Sequence, residues 1–192
     1  MAFQALTTFK EVFMGANSFL IQKTPITEFT LFNPDMEIPV TVDSMNLTQA
    51  EPTINRVKVH GLQTDWASSA TPGDITFAAT IPSIEENLVQ FFMGESNKIT
   101  NATITIGDQS YTGTGFSTSI NMHRLNVSLG VMDDSRKKLI IIKNLTIYAS
   151  PLFENASTTP FAFRLTGTIE ASDGSGADDD NIGFYEITKK AS

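Results

Sequence analysis

The chain has 192 residues, 41% of them apolar and 18% charged, with 13 Lys+Arg against 21 Asp+Glu for a formal net charge of −8. That apolar fraction can build a core, whereas so acidic a balance argues against a surface that grips phosphates, which needs clustered cations, and stays compatible with DNA that slides past. The absence of cysteine excludes disulfides, thiolate-held metals and thiol nucleophiles, and two histidines cannot make a three-histidine zinc site.

In chain order, the segment 1–20 is broken by Lys10, Glu11 and Asn17 and has no basic start, so it does not match a signal peptide. Its Phe3, Leu6, Phe9, Val12 and Phe13 make an apolar stripe of mixed spacing. No run reaches the roughly 18 apolar residues of a membrane helix, so the expectation is synthesis in the cytoplasm without a membrane segment. Phe19–Lys23, Ile26–Phe32 and Ile38–Val42 carry the β-branched and aromatic bulk of strands. From Asp43 to Gly73 runs a long excursion holding Pro52, Pro72, a Ser/Ala/Thr stretch and one candidate strand, Ile54–His60. A domain rarely needs so long an excursion unless it contacts something. Its apolar residues Val57, Val59, Leu62 and Trp66 are costly to leave in water, which makes them the candidate subunit-interface residues, with a plug over the core as the other reading of Trp66.

Ile75, Phe77, Ala79 and Ile81 alternate with small or polar residues, the pattern of a half-buried strand. The period then changes. Ile84, Leu88, Phe91 and Phe92 fall at helical spacing behind Ser83 and Glu86, which match a capping box, and Gly94 can close the helix. The spacing predicts one short amphipathic helix over about 83–93. Ile99–Ile106 and Ser110–Ile120 follow as two strands joined by Gly107-Asp108, a hairpin signal. Leu125, Val127, Leu129 and Val131 alternate again. Leu139–Ile142 is apolar on both faces, so the strand through Tyr148 should be central, covered by an opposing sheet and by a helix or subunit. Phe161, Phe163, Leu165 and Ile169 give another strand, and Ile182–Thr188 a last one. Between them, 171–181 is an acidic loop whose four aspartates carry half of the net charge. The expected fold is one mainly β domain over 1–192, a sandwich or barrel with one flanking helix.

No catalytic constellation emerges, so no enzymatic activity, cofactor or metal is expected. His60 and His123 lie at strand ends without a recognisable nucleophile beside them. Asp173–Asp180 lacks the register of a calcium loop and reads as a solvated tip. Gly113-Thr-Gly115 has no following helix or lysine to cradle phosphate. Arg136-Lys137-Lys138 follows Asp133 and Asp134, which suits a turn with internal charge pairing.

The order of these elements is itself informative. A strand runs directly into a capped helix through Ile81-Pro82-Ser83-Ile84-Glu85-Glu86, and a hairpin follows over Ile99–Ile120. Strong strands come next, then Arg164-Leu-Thr-Gly-Thr-Ile-Glu-Ala171, a Gly/Asp loop and Asn181-Ile-Gly-Phe-Tyr-Glu-Ile187. Across Thr53 to Thr188 this resembles the major tail tube proteins of long-tailed bacteriophages and prophages. The resemblance implies protomers joined edge to edge into homohexameric rings whose inner strands close a β-barrel, the rings stacking into a tube that conducts DNA. It also implies the virion tail as location, and as partners the chain itself, other tail proteins and passing DNA. There are no catalytic residues to carry over. Ile99–Ile120 becomes the inner hairpin, an acidic lumen would repel phosphate, and the excursion around Trp66 reaches a neighbouring subunit or ring. Two other readings stay open: the inner tube of a contractile injection apparatus, and a non-catalytic sandwich that binds carbohydrate or a cell surface. The last would use Trp66 as a stacking platform and Asp173–Asp180 to hold calcium.

Overall fold

The computed structural model describes residues 16, 18–41, 44–61, 63–82, 85–94, 98–117, 123–133, 137–152, 162–170 and 181–188. Of these, 61% are in strands and 8% helical, a mainly β fold of several sheets with one short α-helix, compatible with a sandwich or barrel. The strands are β1 (Ser18–Gln22), β2 (Met36–Ile38), β3 (Asn46–Gln49), β4 (Thr53–Val57), β5 (Ala67–Thr71) and β6 (Ile75–Ile81). After helix α1 (Glu86–Met93) come β7 (Lys98–Ile106), β8 (Gln109–Phe116), β9 (Arg124–Asp133), β10 (Lys138–Leu152), β11 (Ala162–Ile169) and β12 (Ile182–Glu186). The chain forms two compact units, one of Met1–Pro39, Asn126–Leu145 and Glu170–Ser192, the other of Val40–Leu125 and Thr146–Ile169.

In the first unit the strand order is β2-β1-β9-β10, with β12 also paired to β10. Ile21, Val127, Leu129, Val131 and Ile142 are fully buried, as their alternation requires. A cover lies over one face of this sheet. Residues 23–35, expected in part as a strand over Ile26–Phe32, instead form a strap with a single 3-10 turn at Phe29–Leu31. The Ile26 N–H donates to Ser128 Oγ on β9 and to the Lys143 carbonyl on β10, at 3.0 and 3.3 Å, as single bonds outside any strand ladder. Phe29 packs edge-on against Tyr185 and lies under the Lys143 ammonium, 5.0 Å from the ring centroid. Phe32 occupies the notch left by Gly130, where any Cβ would overlap its ring. The cover expected over this central strand is therefore, on this face, an irregular strap. Lys138 pairs with Glu186 across β10–β12 at 3.5 Å, beyond the turn-internal pairing expected for the basic cluster.

In the second unit the order is β10-β11-β6-β3, with β11–β6 and β6–β3 antiparallel. Phe77, Ala79, Ile81, Phe163 and Leu165 face the core, where α1 adds Leu88, Val89, Phe92 and Met93. Phe92 is wholly buried, with its ring 6.2 Å from Phe163 and 5.1 Å from Phe91. The helix starts at Glu86 with Glu85 as its N-cap and no side-chain cap bond. Ser83 and Ile84 lie outside the described residues. Glu86 instead bonds Lys98 at 2.6 Å, tying the helix to the root of β7. Gly94 ends the helix with positive φ, though its ψ of 141° is extended.

Candidate functional site

Two hairpins of the second unit stand out because nearly all their described side chains are exposed. The first is β7–β8, whose strands pair with each other and, among the described residues, with no third strand. Its two-residue turn is the expected Gly107-Asp108. Gly107 has φ of 61° while Asp108 is not left-handed, the glycine-first arrangement that matches strand twist. Between Ile99 and Ala102 the register shifts, with Thr100 and Asn101 opposing Thr114 and Asn101 in the left-handed region at φ 54°. This is a β-bulge, which bends the strand and resets which residues share a face.

Beyond the bulge the hairpin is amphipathic. Ala102, Ile104 and Ile106 stand opposite Gly113, Tyr111 and Gln109, and Thr103 and Thr105 opposite Thr112 and Ser110. Because faces alternate along a strand, one face is apolar and the other lined by hydroxyls. The apolar face is open: Ile104, Ile106 and Tyr111 are 57%, 66% and 56% exposed. Asp108 is the one charged residue from Ile99 to Phe116, and beyond Lys98 at the root no lysine or proline guards either edge. Long, exposed, uncharged edges of this kind are templates for pairing with another chain. The polar residues of this hairpin are expected from the sequence, whereas its apolar face is not. Its signal was the alternation Ala102, Ile104, Ile106 against Thr103 and Thr105.

The second hairpin lies within the excursion and holds the candidate interface residues. β4 pairs with β5 in the register Thr53↔Thr71 to Val57↔Ala67, so Ala67–Thr71, expected as loop, is a strand. Every residue of both strands is exposed. β4 ends at Val57, so His60 sits in the following turn rather than at the end of a strand. Trp66 is 68% exposed, with its N–H donating to the Val57 carbonyl at 2.9 Å, and Val57 and Val59 are exposed too. Trp66 and Val57 are thus brought together through the backbone, and Leu62 lies outside the described residues. Arg56 meets Asp65 at 3.5 Å.

Elsewhere the functional candidates stay apart. His60 and His123 are both exposed, His123 with its ring beside Gly94 at the helix end. Among the described residues no group of three His, Asp or Glu could hold a metal ion. Asp173–Asp180 lies outside the described residues, as do the expected strand end 118–120 and the apolar stripe within 1–15. Among the described residues no helix is long and apolar enough to cross a membrane. No protein-family model matches the chain, and no curated protein matches it.

Proposed function

We propose that the protein is a structural subunit of a phage or phage-like tail tube, forming stacked homohexameric rings whose lumen conducts DNA during ejection. The observation that carries this reading is the β7–β8 hairpin. It is amphipathic, pairs with no third strand among the described residues and is open on its apolar face. A lone two-stranded hairpin is marginal in water, and three or more strands with a covered face are needed for stability. Pairing edge to edge with copies of itself supplies the missing strands, and a head-to-tail contact that closes makes a ring without edges. The apolar face is then buried outward against the assembly and the hydroxyl face lines the lumen. With no Arg or Lys from Ile99 to Phe116, that lining cannot bind successive phosphates, which suits passage rather than retention.

Val57, Val59 and Trp66 on the second hairpin would contact a neighbouring subunit or ring. Exposed Trp66 also favours the binding-module reading, in which it stacks on a sugar ring. Native mass spectrometry with negative-stain microscopy separates the two. Sixfold masses, rings or tubes are expected. A chain that stays a monodisperse monomer at every concentration refutes the tube, and sugar-dependent quenching of Trp66 fluorescence would then favour the module.

A further inference from the structure

The second hairpin is continuous with the sheet beneath it. Paired residue numbers sum to 124 along β3–β6, from Asn46↔Ala78 to Gln49↔Ile75, and again along β4–β5, from Thr53↔Thr71 to Val57↔Ala67. The four strands are therefore one ribbon in one register. It is interrupted between Ala50, whose N–H still donates to the Asp74 carbonyl at 2.9 Å, and the Thr53↔Thr71 pair. Continuing the register sets Pro52 opposite Pro72. In an antiparallel ladder bonded pairs alternate with non-bonded ones. Since residues 50 and 74 form a bonded pair, the next such pair is 52 and 72. Neither proline has an N–H to give. Both bonds of that rung are absent because of residue chemistry, at the one place where the ribbon leaves the core.

Burial falls along the ribbon towards that point, β3 being already mostly exposed. On the near side Phe77, Ala79 and Ile81 are buried, and β6 is held by β11 as well as β3. On the far side every residue of both strands is exposed. Gly73 adds a second local feature: any Cβ there would overlap the Ala50 carbonyl oxygen, so the two chains cross very closely just below the missing rung.

We infer that the opposed Pro52–Pro72 pair is a hinge, and that residues 53–71 swing about it as a preformed two-stranded arm. A preformed arm that searches for its partner loses orientational freedom on docking but not strand pairing, unlike a loop that must fold as it binds. That use rests on the tube reading, with a second copy as the partner. Charge fits such a partner: the arm holds Arg56 and Lys58 against Asp65, a net +1, which leaves −9 on the rest of the chain. The hinge itself needs no partner.

Because the chain has no cysteine, two introduced cysteines take spin labels without background. With Ser69→Cys on the arm and Thr166→Cys on β11, pulsed dipolar spectroscopy on dilute protein reads the spread of arm positions. A broad distribution is expected, narrowing at least twofold in the Pro52→Thr/Pro72→Thr variant, which restores both donors with a good strand former. Should that variant not fold, each single replacement restores one donor and narrows the distribution partway. A distribution already narrow in the parent, or one unchanged in width by these replacements, overturns the hinge. A chain that never assembles but shows the narrowing removes the tube reading and leaves the hinge standing.

Discussion

Replacing Ile104 and Ile106 together by threonine separates a face that is open in the free chain from one buried on folding. Ile104→Thr/Ile106→Thr keeps β-branching at both positions, so strand preference is little changed. About six-tenths of each isoleucine is in water in the free chain. Full burial of an isoleucine side chain stabilises by about 1.5–3 kcal/mol. On the tube reading, the part still to be gained on assembly is then roughly 1–2 kcal/mol per residue, or about 3 kcal/mol for the pair at one interface. At about 1.4 kcal/mol per decade this weakens each subunit contact about 100-fold. The free chain should lose little, since exposed substitutions usually fall within about 0.5 kcal/mol. Urea denaturation of dilute protein, alongside sedimentation across a concentration series, reads both quantities. An assembly threshold that does not move refutes the reasoning. So does a large loss of monomer stability, which would mean that the face is already covered.

Two further substitutions bracket that one. Phe92→Ala empties a wholly buried site between Phe91 and Phe163 and should cost about 3–5 kcal/mol in urea denaturation, with Phe91→Ala, half-buried, costing less. Trp66→Ala should shift the monomer melting temperature little, because the side chain is mostly in water, yet raise the protein concentration needed for tubes in light scattering.

Much of the fold is legible in the sequence because most of its strands are buried on at least one face. The alternations of Ile75–Ile81 and Leu125–Val131 and the unbroken Leu139–Ile142 run mark β6, β9 and β10, and burial is what writes those patterns. Ala67–Thr71 carries no such record. It is a strand because it pairs in register with Thr53–Val57, and a ribbon exposed on both faces needs no apolar alternation. Ile26–Phe32 fails for the opposite reason. It has strand-like composition, but Ile26, Phe29 and Phe32 are spent on covering a sheet face, and their three-residue spacing suits a strap. The helix expected over about 83–93 is present as Glu86–Met93, because Leu88, Val89, Phe92 and Met93 are buried on one of its faces. The hairpin's apolar face was obscured by the bulge at Thr100–Asn101. One extra residue there exchanges the faces of everything before it, so alternation counted from Ile99 does not group Ile99 with Ile104 and Ile106.

The bulge also bears on how a non-sticking lumen could arise on the tube reading. The acidic composition suggests repulsion of phosphate, yet the acid load is not on the hairpin. From Ile99 to Phe116 there is one aspartate, at the turn, and no cation, whereas 171–181 alone holds four aspartates. The lining face offers Thr103, Thr105, Ser110 and Thr112. Hydroxyls hold water through both donor and acceptor positions, and with no cation the counterion release that drives binding to nucleic acid has no source. Passage through such a lining would rest on the absence of attraction rather than on repulsion. Charge repulsion weakens with salt as the screening length shortens, whereas a neutral hydroxyl wall has no such term. Low affinity for DNA would then persist from low to high ionic strength, and the acid load elsewhere on the chain would be free for contacts with the cationic residues of the arm.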